Sequence, residues 1–230
     1  GITYSVHNMK ICITAVLGLY RATLDDAASP PRDDGGLRGV SEEPGKLRVH
    51  EFAAGPILGG ICDETVRQLY GYLPGKGDTE LFYWFFESRN NPGSSPTVIY
   101  FRGGPGASSL TSALSGNGGP CIVNDFGKST SINEYSWNTA ANVMYIDQPA
   151  GVGFSKGPIP KTSEEAAEST YLVIDQFFRL RPEYNTRIFL AGGSYAGHFI
   201  PPLAAKLKQR GSVVRLQGIL LGNPSIAPEI

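Results

Sequence analysis

A serine hydroxyl becomes an effective nucleophile when the backbone lifts it clear of its neighbours and N–H groups stand ready for the negative charge its attack creates. The stretch Gly192-Gly193-Ser194-Tyr195-Ala196 has the residue types for the first requirement. Small residues two places either side of a serine let a strand and a helix approach closely around a strained turn. Ala196 stands where a second glycine is usual and is still small. A helix opening after Ser194 would aim free backbone N–H groups at developing charge, so these residues suit acyl transfer through a covalent intermediate. A second turn, Gly103-Gly104-Pro105-Gly106, follows an earlier apolar run and is placed to supply the other donor.

Bringing two such turns to one rim requires parallel strands behind them. Residues 97–101 (TVIYF), 143–146 (VMYI), 188–191 (IFLA) and 218–221 (GILL) are short apolar runs, the pattern of strands covered on both faces. Residues 163–181 carry Ala166, Ala167, Tyr171, Leu172, Ile174, Phe177 and Phe178 at helical spacing, with Thr162 or Ser163 to cap the start and Pro182 to mark the end. Residues 203–207 continue a helix after the serine turn. The aromatic runs 69–73 and 80–86, separated by turn-forming residues 74–78, predict a hairpin. Strand, loop and helix alternate, which predicts a doubly wound α/β layer with both glycine turns on its ligand-binding rim.

The 230 residues are 41% hydrophobic, enough to bury one sizeable core. A net charge of -1 and no long Lys/Arg run leave no electrostatic footprint for nucleic acid. Cys12, Cys62 and Cys121 are too few for a disulfide scaffold and lack zinc-site spacing, so neither metal nor cofactor is expected. The apolar run 11–20 follows Met9 and Lys10 and precedes small residues. It reads as a signal peptide over residues 1–24, with Met9 as the starting residue, and is too short for a membrane span; a buried strand or helix is the other reading. Residues 25–50, rich in Pro, Gly and charge, read as linker or propeptide, leaving 51–230 as the folded part. Without the leader, Cys62 and Cys121 could pair with each other or with cysteines outside this chain. Asn-x-Ser/Thr sequons are absent, so glycosylation lends secretion no support.

Several blocks, taken in order, resemble the serine carboxypeptidase family: residues 81–92 (LFYWFFESRNNP), 103–109 (GGPGASS), 135–138 (YSWN), 145–155 (YIDQPAGVGFS) and 192–198 (GGSYAGH). Residues 61–65 (ICDET) with 119–121 (GPC) are most similar to fungal secreted members. The resemblance implies an α/β-hydrolase fold, a mixed, mostly parallel sheet flanked by helices, here incomplete at the C-terminus. It also implies removal of C-terminal residues from peptides, often at acidic pH, in a secreted or vacuolar setting. By the same resemblance Ser194 is the nucleophile, and the backbone N–H groups of Gly104 and Tyr195 form the oxyanion hole.

The family holds the substrate's C-terminal carboxylate with an Asn just before the Gly-Gly-Pro-Gly turn and two proton-sharing Glu. Those positions here are Arg102, Gly193, and Gly116 or Asn117. Arg102, Gly103, Asn117 and Gly193 are therefore the expected substrate-binding positions. Arg102 could hold a carboxylate by charge without acidic pH, or turn to solvent or pair with an acid. Ala107 replaces a Cys usual after the turn, removing one family disulfide. α/β-Hydrolases place their acid and then their His after the nucleophile. The only histidines are His7, His50 and His198, and His198 follows Ser194 on the same helix, better placed for packing than as a base. Asp147 and Asp175 belong to a family loop and a helix face. The expected partners are thus a peptide C-terminus and a second chain, or a continuation of this one, supplying Asp and His. Acyltransferase or lyase chemistry and a non-catalytic binding protein are the alternatives.

Overall fold

In the computed structural model, residues 48–52 and 61–226 are described. The signal-peptide reading and most of the linker reading fall outside them. Strand β1 (Arg48–Phe52) takes up the last residues of that linker stretch and pairs antiparallel with β2 (Gln68–Pro74). β2 forms the expected hairpin with β3 (Glu80–Phe86), Leu73 opposite Leu81. β3 runs antiparallel to β7 (Asn142–Ile146), and from β7 onward the sheet is parallel, through β4 (Thr97–Phe101), β8 (Ile188–Ser194) and β9 (Leu216–Pro224). The seven-stranded order is β1-β2-β3-β7-β4-β8-β9. After β4 the chain goes to β7 on one side and later crosses to β8 on the other, so the sheet's order reverses at β4. Crevices for ligands open at the carboxyl ends of strands at such a reversal.

Alternation along β3 explains why its aromatic run is a central strand. Leu81, Tyr83 and Phe85 enter one core, and Phe82, Trp84 and Phe86 enter the other. With a two-residue period, both faces must be covered for all six to be buried. The first core is roofed by α2 (Ser163–Leu180) and α3 (Ala196–Gln209). The Thr162 side chain caps α2 by accepting from the Glu165 N–H, and Glu164 and Glu165 complement the helix dipole. α3 carries Pro201 and Pro202 in its interior, at a cost of two backbone donors. It persists because Ala196, Phe199, Ile200, Leu203 and Leu207 bury one face, and because Glu168 of α2 pairs with Lys206 and Arg210.

The second core has thinner cover: the four-residue α1 (Leu110–Ala113), the loop of residues 115–120 and a small hairpin, β5 (Cys121–Asn124) with β6 (Ser129–Ile132). A Cys62–Cys121 disulfide ties this face to the segment before β2. The pairing left open by the sequence is thus internal. No helix among the described residues is long and apolar enough to cross a membrane.

Candidate active site

The β4–β8 ladder ends with Phe101 opposite Gly192, so Arg102-Gly103 and Gly193-Ser194 leave the sheet side by side. They nearly touch. A Cβ on Gly103 would sit 2.7 Å from the Tyr195 nitrogen, 2.8 Å from the Gly193 carbonyl oxygen and 2.9 Å from Ser194 Cβ. Only a glycine lets the two turns meet this closely. The convergence expected of them is therefore present.

Ser194 has φ +55, a left-handed conformation that costs a non-glycine residue about 1–2 kcal/mol. Its surroundings enforce the bend. The Ser194 carbonyl accepts from the Ser225 N–H at 2.9 Å, and a Cβ on Gly192 would collide with the Phe101 oxygen at 2.5 Å and the Ala196 methyl at 2.7 Å. Ala196 is tolerated because Gly192 leaves it room, while Gly197 provides the other close approach, against the Ser225 oxygen. The outcome is a serine that is exposed although the residues two places either side of it are buried. Tyr195 begins α3 as its N-cap, and the first N–H groups of a helix have no partner within it. Ser194 and these free N–H groups thus lie together at one helix N-terminus.

Around this pair the other expected positions diverge. Arg102 is half-buried and neither turned to solvent nor paired with an acid among the described residues. Its Nη1 donates to Thr111 Oγ1 at 2.5 Å and Ser112 Oγ at 3.3 Å on α1. Gly193 packs against β9, where a Cβ would lie 2.7 Å from the Gly222 oxygen, too close for any side chain without a shift. Asn117 is exposed, and Gly116 has φ +69 with a would-be Cβ 2.6 Å from Ile122 Cγ1. His198 lies with its ring 4.5 Å from the Tyr195 ring, and its backbone N–H donates to the Tyr195 carbonyl. His50 is in edge strand β1, and His7 is outside the described residues. Asp175 serves the α2 surface, accepting from Arg179, Ser212 and Val213.

Ser109, Thr111 and Ser112, not singled out by the sequence reading, shape the turn: the Arg102 N–H donates to Ser109 Oγ at 3.1 Å. Their only sequence signal is a run of hydroxyl residues directly after a glycine turn. No group of three or more His, Cys, Asp or Glu suited to a metal occurs among the described residues.

The family model for serine carboxypeptidases matches residues 60–230. The chain belongs to that family. It is 44% identical over 171 residues to the lysosomal protective protein of Mus musculus, covering 72% of this chain and 36% of that protein. It is 41% identical over 188 residues to carboxypeptidase Y homolog A of Blastomyces gilchristii, covering 78% and 33%. Among solved structures it is similar to Kex1(delta)p, a prohormone-processing carboxypeptidase of Saccharomyces cerevisiae, with TM-score 0.63, 32% identity, and coverage of 71% of this chain and 40% of that one. The serine carboxypeptidase segment here spans about a third of the length of these curated relatives. The shared architecture is the α/β-hydrolase fold, a mixed sheet whose site-bearing half is parallel, flanked by helices.

Proposed function

We propose that this chain carries the nucleophile half of a serine-type carboxypeptidase, which removes C-terminal residues from peptides through an acyl-enzyme. The observation that carries the reading is the exposed, left-handed Ser194 abutting the Gly103 turn. Ser194 Oγ attacks the scissile carbonyl, and the N–H groups of Gly104 and Tyr195 receive the oxyanion. Arg102, one residue before the turn, holds the substrate's terminal carboxylate with the guanidinium donors that Thr111 and Ser112 leave free. A guanidinium stays charged at all relevant pH, so carboxylate capture here does not depend on acid conditions.

The serine needs a base, and His198 does not serve, its ring packed at a tilt against Tyr195 on the same helix. Asp and His come from a companion segment, in a second chain or a longer form of this one, added to the sheet beyond β9. Among the described residues β9 pairs only with β8, and it leaves Ile219 and Leu220 40% and 51% exposed. A secretory-pathway setting is supported by the Cys62–Cys121 disulfide, which suits an oxidising compartment, and by the relative named a lysosomal protective protein. The replacement of the family's carboxylate-holding Glu by Gly193 favours acyl transfer to a non-water acceptor as the second reading.

The test is turnover of an N-blocked dipeptide and of its C-terminal amide between pH 4 and 8, by the chain joined to its companion segment. Cleavage of the acid form alone, persisting at neutral pH and lost in Ser194→Ala, is expected. Equal cleavage of the amide, or an optimum confined to acid, would overturn the Arg102 role; transfer to an added acyl acceptor in preference to water would favour the second reading.

A further inference from the structure

Asp147 directly follows β7, which β4 separates from the Ser194 strand β8, and is fully buried. A buried carboxylate is costly unless its lone pairs are met. Those of Asp147 are met by three donors: Ser108 Oγ at 2.6 Å and the Ser109 N–H at 2.9 Å on Oδ1, and the Phe154 N–H at 3.0 Å on Oδ2. No cation pairs with it among the described residues. Burial pushes its carboxyl above the ordinary range, and the hydrogen bonds from Ser108, Phe154 and Ser109 offset only part of this. Room for the group is made by Gly153, where a Cβ would overlap the carboxylate.

Two of the three donors lie just behind the glycine turn. Ser109 is the junction: its N–H donates to Asp147, and its Oγ accepts the Arg102 N–H that precedes the turn. The Ala107 N–H closes on the Gly103 carbonyl at 3.3 Å inside the loop. Both shoulders of the turn are thereby joined to one carboxylate. That carboxylate is itself fixed, since the Asp147 N–H donates to the Phe82 carbonyl of β3 and its own carbonyl accepts from Ser155 Oγ.

We propose that Asp147 is a positioning residue that clamps residues 103–109 from behind and so holds the Gly104 N–H toward Ser194. The proposal rests on the reading that Gly104 supplies an oxyanion donor. A carboxylate is required because three donors converge on it. An asparagine would turn its NH₂ toward either the Ser109 or the Phe154 N–H, losing one bond whichever way it is placed.

The test is amide ¹⁵N relaxation of the full 230-residue chain and its Asp147→Asn and Ser108→Ala variants. In the parent chain Gly104, Gly106 and Ala107 should be rigid, with order parameters of about 0.85; in Asp147→Asn they should fall toward about 0.6 while β4 and α3 stay unchanged. Ser108→Ala removes one bond and should loosen the turn by less, which keeps the proposal testable where Asp147→Asn does not fold. A turn equally rigid in both variants, or a loss of order spread evenly over the sheet, overturns the clamp. The measurement uses no substrate, so failure of Ser194 to form an acyl-enzyme would remove the proposed function and leave this result readable.

Discussion

The backbone at Ser194 is held against its own preference, and that should register in stability as well as chemistry. Replacing Ser194 by glycine relieves a left-handed φ worth about 1 kcal/mol. We expect Ser194→Gly to abolish acylation and raise the unfolding midpoint by about 2–4 °C, read by thermal denaturation. A midpoint at or below that of the parent would argue against stored strain. Gly103→Ala makes the opposite case: its methyl meets the Tyr195 nitrogen, the Gly193 oxygen and Ser194 Cβ, two of them backbone atoms that cannot swing aside. A loss of about 1–3 kcal/mol in chemical denaturation is expected, with acylation by the assembled enzyme reduced about 10²-fold or more. At this scale much was legible from sequence, because Gly192, Gly193 and Ser194 and the Gly103 turn advertise a close approach through missing side chains. Arg102 was less so. Its partners Thr111 and Ser112 sit on a four-residue helix, too short for any hydrophobic period to register, so the hydroxyl contacts found in place of a solvent-facing or acid-paired side chain were not foreseen.

Among the elements, those with a strong period were readable and those held by polar networks were not. α2 announces itself by its 3.6-residue spacing and β3 by an unbroken aromatic run bounded by turn residues. The β5–β6 hairpin, half exposed and built of four-residue strands, is too short to carry such a signal and was absent from the sequence reading. What organises that region is Asp63, buried between the segment before β2, the loop after β3 and the turn at Trp137–Thr139. Burial raises its carboxyl, but hydrogen bonds from Thr65, Asn138 and Arg89 and the Arg89 charge outweigh burial and hold it below the ordinary 3.8. Its folded pKa is depressed, so its contribution is complete above the unfolded value and disappears as pH falls through the lower folded one. Asp63→Asn should therefore cost about 3–5 kcal/mol at neutral pH by leaving Arg89 without its charge partner. In urea titrations the gap to the parent should stay constant down to about pH 4.5 and narrow only below 3.8. A gap that closes between pH 7 and 5 would mean the carboxylate is not the stabilised form.

Across the whole molecule the two faces of the sheet are unequally protected. α2 and α3 roof one core with long amphipathic surfaces, whereas the other relies on α1, loops and a small hairpin. The sequence indicated a core of this size but not which face would be thin, since that depends on where the chain crosses over. The disulfide lies on the thin side and closes a loop of 59 residues, for which chain entropy alone supplies about 4 kcal/mol. It also anchors Cys121 at the end of the loop that packs on α1, whose Thr111 and Ser112 hold the Arg102 guanidinium. Reduction should thus act unevenly. We expect Cys62→Ser/Cys121→Ser to lower global stability by roughly 3–4 kcal/mol in denaturant. Hydrogen exchange should rise first in α1, residues 115–120 and β5, with α2 and α3 protected until global unfolding. Capture of a carboxylate by Arg102 should weaken along with that face, while the left-handed bend at Ser194, braced by Phe101, Ala196 and Ser225 on other elements, should keep its geometry. Uniform exchange across both faces would show instead that the sheet transmits the loss, and that the disulfide supports the fold as a whole.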